Sequence, residues 1–413
     1  GVDIFFVISG YLISTIIFTE LKTTSNFSFK NFYIRRAKRI LPVLGIVLIF
    51  SLILSFFLFI PEKFDITFGS ATSSWFFFSN FFFWKQLSTY HAEESINLPL
   101  LHTWSLSVEE QFYILFPLLI LIIFFYLNKR ILPILISVII ISLFISTYAS
   151  VNYSNANFYL LPSRVWEILL GSLISYYEIF KNKKFEMDET KKKYVFLGFF
   201  SIILFSFIAN DKTLHPSLIT IIPVLSAFVI ICYSENDNFF IYKILSSKFL
   251  VYFGLISYSL YLWHYPILVF SNTLNLDTNN LYFFYILIFI IILLISISSY
   301  HLIEKPFRKG EYNIRSLISL LIIFSISTIF LNFKNFTNLN HFSKNDMLTA
   351  SFKNYQEKIK CSEIISKHGF CYLKKGESDQ TEIVMLGDSV LNRLVIDLNE
   401  KLPDEKYNII NLS

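Results

Sequence analysis

Charge is scarce in this chain. Of its 413 residues, 16% are Asp, Glu, Lys or Arg and 54% are hydrophobic. A soluble protein of this length cannot cover its surface with so few charges. Cysteine is nearly absent, with 3 residues, and the 7 histidines are scattered without a CxxC or HExxH spacing. No metal site is therefore expected. The 11 glycines form no Walker or dinucleotide pattern, so a glycine-rich phosphate cradle is not expected either. The net charge of +5 sits largely in short connections between apolar blocks. It reads as membrane topology and not as a nucleic-acid surface.

What the chain has is apolar length and aromatic mass. Its 48 Phe and 24 Tyr gather with Ile and Leu into blocks, many near the ~20 residues a helix needs to cross hydrocarbon. Ten spans are expected, at 1–21, 41–60, 111–127, 131–150, 161–179, 194–209, 217–233, 250–271, 281–303 and 314–332. A further aromatic stretch, Phe64–Trp84, is interrupted by Gly69, Ser70, Thr72, Ser73, Ser74, Ser79 and Asn80. It reads as a span, a re-entrant segment or an interfacial helix. The expected fold class is a polytopic all-α membrane bundle over 1–332, a polar linker over 333–380 and the start of an α/β domain over 381–413. The chain opens on Gly1 directly into an apolar segment and stops at Ser413 just after a strand-like stretch, so both ends read as truncated.

Loop charge orients the bundle. The 22–39 and 181–193 loops are basic, and Arg130, Lys243, Lys248, Lys305, Arg308, Lys309 and Arg315 mark further basic connections. The connections 151–162, 210–216 and 271–280 are nearly free of Lys and Arg. The positive-inside rule places the first set in the cytoplasm and the second outside. The alternation closes only if Phe64–Trp84 does not fully cross. Asp3, His102, Glu109, Arg164, Glu167 and His264 then fall in the outer half. Arg36, Arg39, Glu304, Lys305 and Arg308 fall on the cytoplasmic side, which suggests two ligands approaching from opposite faces.

The segment Leu101-His102-Thr103-Trp104-Ser105-Leu106-Ser107-Val108-Glu109-Glu110-Gln111-Phe112-Tyr113 carries the strongest chemical signal. It puts a histidine and two carboxylates at the mouth of an apolar run, where ionisable groups are costly and need a use. The plainer account is an interfacial anchor, with Trp104 at headgroup depth and the acids capping a helix start. Arg164 and Glu167 share a helix face and can simply pair. His264, in Tyr261-Leu262-Trp263-His264-Tyr265-Pro266, is either a hydrogen-bonded core histidine or a functional group. Arg36 and Arg39 also share a face and read lipid headgroups or a phosphate-bearing ligand. Glu304-Lys305-Pro306-Phe307-Arg308 ends a span at its proline. In the polar tail, Cys361 and Cys371 can close a short disulfide loop in an oxidising compartment. There Gly387-Asp388-Ser389 follows an apolar strand and can present Ser389 at a strand-to-helix turn.

Six of these stretches occur in a fixed order. They are Gly1–Ile13, Arg35-Arg36-Ala37-Lys38-Arg39-Ile40-Leu41-Pro42, His102–Tyr113, Arg164-Val165-Trp166-Glu167, Ser257–Pro266 and Glu304–Arg308. Together they resemble the membrane-bound acyltransferase-3 superfamily of the O-antigen acetylase type, over residues 1 to about 310. The tail resembles the start of an SGNH-type domain. The resemblance implies a multi-pass protein of the bacterial inner membrane with its C-terminal part in the periplasm. It implies transfer of an acetyl or other short acyl group from acetyl-CoA or another acyl-CoA to hydroxyls of a carbohydrate such as lipopolysaccharide O-antigen or peptidoglycan. It also implies that a helix with an essential histidine precedes Gly1. In that scheme Arg36, Arg39 and Arg308 hold the CoA phosphates. His102 is the base within this chain, oriented by Glu109, and Arg164 or Ser107 steadies the oxyanion or the acceptor. Asp3, Glu167 and His264 complete the site, and Ser389 relays the acyl group, although its motif reads Gly-Asp-Ser-Val390 and not Gly-Asp-Ser-His. The competing reading is a polytopic transporter or flippase of a polysaccharide precursor, which inverted repeats would favour; none is visible.

Overall fold

The computed structural model describes residues 1–88, 97–127, 130–183, 185, 188–209, 213–233, 239–274, 281–310 and 319, and four strands within 363–411. The chain divides into two compact units, Gly1–Ile326 and Ser327–Ser413.

The first unit is helical. Its helices are α1 (Val2–Thr24), α2 (Phe29–Leu58), α3 (Pro61–Trp75), α4 (Ser79–Leu87), α5 (Thr103–Tyr126), α6 (Ile131–Asn152), α7 (Ser154–Tyr159), α8 (Val165–Phe180), α9 (Glu189–Ile208), α10 (Ile221–Cys232), α11 (Phe240–Leu245), α12 (Lys248–Thr273), α13 (Leu281–Ser299) and α14 (Lys305–Lys309). A π-helical turn, Tyr300–Glu304, joins the last two. Among the described residues, six helices are long and apolar enough to cross a membrane: α1, α2, α5, α6, α12 and the run Tyr282–Lys309. The expected spans at 161–179, 194–209 and 217–233 are helical but shorter or more charged. The expected span at 314–332 lies outside the described residues except for Ser319.

The helix directions decide the fate of Phe64–Trp84. Phe6 of α1 meets Trp104 of α5, and further along Phe18 meets Phe116. These helices therefore run the same way, which holds only if the chain between α2 and α5 returns to the side it left. That segment is two short helices, α3 and α4, broken at Phe76–Phe78, where Phe77 takes φ 58°. At 1.5 Å per residue neither reaches across ~30 Å of hydrocarbon. The break is held to α5 by Ser79 and Ser107, whose hydroxyls lie 2.7 Å apart, and by Gln111 Nε2, which donates to the Phe77 carbonyl at 2.9 Å and to Asn80 Oδ1 at 2.8 Å. The serines that interrupt the aromatic run are thus the contacts that anchor a re-entrant hairpin.

The centre of the bundle is the parallel pair α1 and α8. Small residues let their backbones approach closely, as at membrane helix interfaces generally. A Cβ at Gly171 would lie 2.0 Å from the Val7 carbonyl oxygen, and one at Gly10 would lie 1.8 Å from that of Ile168. Ser14 Oγ donates to Ser172 Oγ at 2.7 Å beside this crossing. At the far end Lys22 Nζ donates to Asn182 Oδ1 at 2.5 Å, so both basic loops lie on one side. Gly171→Leu should therefore destabilise the bundle by about 3 kcal/mol or more, the upper range for overpacking, because backbone and not a flexible side chain must move. A lowered thermal midpoint and loss of the monodisperse peak in detergent are the readouts.

The expected stop at Pro306 does not occur. Pro306 stands in the first turn of α14, where a proline is tolerated, and the helix continues to Lys309, where Gly310 at φ 79° ends it.

In the second unit β1 (Glu363–Ile364), β2 (Cys371–Lys374), β3 (Thr381–Met385) and β4 (Tyr407–Asn411) form one sheet of order β1-β2-β4-β3. β3 and β4 are parallel, from Thr381 opposite Tyr407 to Met385 opposite Asn411. Ser389 and the Cys361–Cys371 pairing lie outside the described residues.

Candidate functional site

The Trp-Ser-Leu-Ser-Val-Glu-Glu segment is not the mouth of α5 but its first two turns. Its polar side chains face protein and not lipid, which is how a membrane helix carries them. Trp104 is buried among Phe6, Phe158 and Tyr159, so it is no headgroup anchor. Glu109 and Glu110 are both buried and lie beyond the first turn, so they cap nothing.

The structure sorts the expected site residues into three groups. The first is an ion cluster. Arg164, fully buried at the start of α8, donates from Nη1 to Asp3 Oδ1 at 2.9 Å and to Glu167 Oε1 at 3.2 Å, and from Nε to the Phe158 carbonyl at 3.2 Å. Its guanidinium lies over the rings of Trp104 and Phe158. His215, absent from the sequence reading, completes the group with Nε2 3.1 Å from Asp3 Oδ1. Only its place in a connection poor in Lys and Arg could have singled it out. Two carboxylates share one guanidinium, and His215 Nε2 also lies 3.2 Å from Arg164 Nη1. Arg164 Nη2 has no protein partner. Removing Arg164 strands two buried carboxylates, so Arg164→Ala should cost about 3–5 kcal/mol. Arg164→Lys should not restore it, since one ammonium cannot reproduce the fork. Thermal unfolding of the detergent-solubilised variants checks both.

The second group is aromatic. His102, just before α5, and His264 on α12 have ring centroids 5.4 Å apart, with Tyr261 and Tyr265 at 5.2 and 5.4 Å from the His102 ring. Neither His102 nitrogen makes a hydrogen bond of good geometry to the described residues, and the Leu262 backbone is its polar neighbour. His264 Nδ1 lies 2.6 Å from the Tyr261 carbonyl.

The third group lines a cavity of about 660 Å³. Arg36 and Arg39 lie at one end, Ser9, Ser105 and Glu109 on the walls, and Tyr258 and Tyr261 opposite them. Arg36 sits 4.9 Å from the Tyr113 ring centroid and 5.9 Å from that of Phe32. It is held by aromatic faces, which leaves its donors for an anion. The Tyr113 and Ser9 hydroxyls are hydrogen-bonded to each other. Glu109 Oε1 and Glu110 Oε1 are buried without partners.

Two expectations change. Glu109 does not orient His102: they are seven residues apart, about 10 Å along the helix, and Glu109 faces the arginine cavity. The two polar faces are also not separate, because one cavity joins Arg36 and Arg39 to Glu109. Two residues stand apart from it. Arg308 pairs at 3.3 Å with Glu304, which accepts from Ser259 at 2.9 Å. Ser107 is occupied by Ser79. Ser9, Tyr113 and Tyr261 were missed as wall residues because aromatic and small residues are everywhere in this sequence. No group of three or more metal-ligating side chains occurs among the described residues.

An apolar bundle with a buried, partly unpartnered polar cavity describes a membrane protein that works on a ligand within its helices. The chain belongs to the family described as the acyltransferase domain, Acyl_transf_3, which matches residues 1–301. It is 31% identical to a protein of Staphylococcus aureus (strain MRSA252) named "Putative O-acetyltransferase SAR0937", over 95% of this chain and 69% of the relative. It is 33% identical to O-acetyltransferase OatA of Staphylococcus aureus (strain NCTC 8325 / PS 47), over 76% of this chain and 53% of the relative. It is 31% identical to the "Putative peptidoglycan O-acetyltransferase YrhL" of Bacillus subtilis (strain 168), over 75% of this chain and 50% of the relative. The chain thus spans about half the length of the last two. No solved structure matches the chain.

Proposed function

We propose that the protein transfers an acetyl or other short acyl group from acyl-CoA to hydroxyls of a cell-surface carbohydrate. Peptidoglycan is the first candidate acceptor, by the name of one relative, and lipopolysaccharide O-antigen the second. The observation that carries this reading is the cavity itself. It joins two guanidiniums to a largely apolar passage, and its Tyr261 wall touches the buried His102. Arginine suits phosphate by its forked donors. Arg36 and Arg39 hold the CoA phosphates on the cytoplasmic side, with Arg308 nearby at the same end of the bundle. The pantetheine arm follows the cavity inward.

His102 takes the proton of the sugar hydroxyl as the hydroxyl oxygen attacks the thioester carbonyl. The new C–O bond forms, the C–S bond breaks, and the proton ends on the CoA thiol. Arg164 Nη2 supplies a donor for developing negative charge. Asp3, Glu167 and His264 hold the surrounding groups. The second unit lies in the periplasm, where an SGNH-like domain with Ser389 as nucleophile receives or relays the acyl group. The parallel β3–β4 pair supports that α/β reading.

The test is release of free CoA by full-length protein reconstituted in vesicles. Release that requires the carbohydrate acceptor supports transfer. Acceptor movement without CoA release favours the transporter.

A further inference from the structure

The bundle carries a second cavity, an open groove of about 570 Å³ between α12 and α13 with exposed Tyr285 and Phe289 on its rim. Its walls are His264, Leu260, Leu268, Ile288, Phe289 and their neighbours, so apart from His264 it is nearly all apolar. The transfer scheme above makes no use of it. It is not isolated, because Tyr261 and Ser257 line both this cavity and the one that holds Arg36, Arg39 and Glu109.

The partition between the two is therefore small. Ser257 offers only a hydroxymethyl group, and it is turned back to the Gly254 carbonyl at 2.8 Å. The bulk of the partition is the Tyr261 ring. That ring is fixed at its tip: the hydroxyl donates to the His102 carbonyl and lies 2.7 Å from Ser105 Oγ. A half-buried phenol held by two hydrogen bonds does not swing aside without leaving both unmade. The donor passage thus ends against a rigid wall with apolar space behind it.

We infer that Tyr261 determines which acyl groups the protein accepts, by closing the donor cavity to all but short chains. This rests on the proposed acyl-CoA donor. With the ring in place the acyl group ends beside the hydroxyl. Without it, the second cavity receives the distal methylenes of a longer chain, which match its apolar walls. Each methylene so buried favours the longer donor by about fourfold.

The experiment compares acetyl-, butyryl-, hexanoyl- and octanoyl-CoA as donors to one carbohydrate acceptor, using full-length protein in vesicles. Thiol release gives kcat/KM for each donor. Wild type and Tyr261→Phe, which keeps the ring, should both prefer acetyl-CoA. Tyr261→Ala should raise the octanoyl-to-acetyl ratio at least tenfold, whatever happens to the absolute rate. Adding Leu268→Trp, which fills the second cavity, should lower that ratio again. A loss of packing alone would slow all donors alike. An unchanged ratio in Tyr261→Ala, with acetyl transfer still measurable, overturns the inference and leaves the donor assignment standing. If Tyr261→Ala does not fold, Tyr261→Leu, which stops short of the hydroxyl position, is held to the same tenfold criterion. Wild type that releases no thiol from any donor overturns the donor assignment and this inference with it.

Discussion

Arg36→Ala combined with Arg39→Ala should weaken acyl-CoA binding at least tenfold while changing carbohydrate affinity less than threefold. Each hydrogen bond to a charged group contributes about 1.5–3 kcal/mol, or roughly 10- to 150-fold. Arg36 is stacked on Tyr113 and Phe32 and makes no side-chain hydrogen bond to the described residues, so its donors are open to the cavity. Arg36→Lys should recover little, because an ammonium offers neither the stacking plane nor the fork. Titration with a labelled CoA analogue measures this. Unchanged CoA affinity would reduce both arginines to topological markers.

His102→Ala and Glu109→Gln should each lower acyl transfer at least tenfold, with normal membrane insertion. The structure gives them separate reasons. His102 is the buried imidazole beside His264, and a lost general base typically costs about 10²–10⁴-fold in rate. Glu109 faces the arginine cavity, so Glu109→Gln should change KM for the donor as well as kcat, whereas His102→Ala should act on kcat. Near-normal transfer by both variants would remove this site from the mechanism.

Much of this was legible from sequence because a membrane forces it. Apolar blocks marked the helices, and loop charge gave the alternation that the parallel run of α1 and α5 bears out. The family followed from six ordered motifs. The rest depends on which side of a helix a residue takes. Ser105, Ser107 and Glu109 read as a costly flank to a span, yet they lie inside α5 because re-entrant α4 and helix α12 cover them. The Gly10–Gly171 crossing pairs residues 161 positions apart, a distance at which two glycines carry no visible relation. His215 could not be linked to Asp3 for the same reason. Glu109 was expected to orient His102, but the seven-residue step carries it down the helix to the arginines.

In the proposed mechanism, donor and acceptor meet through one cavity from opposite sides of the bilayer. Proteoliposomes containing full-length protein test it directly. The native Cys232, Cys361 and Cys371 are replaced, and single cysteines at Asn26 or Asn155 report, with an impermeant thiol reagent, which end of the bundle faces out. Vesicles with Asn26 outward receive acetyl-CoA outside and hold the carbohydrate acceptor inside. Free CoA is expected outside and acetylated carbohydrate inside. Transfer only when acetyl-CoA and carbohydrate share a compartment would contradict it.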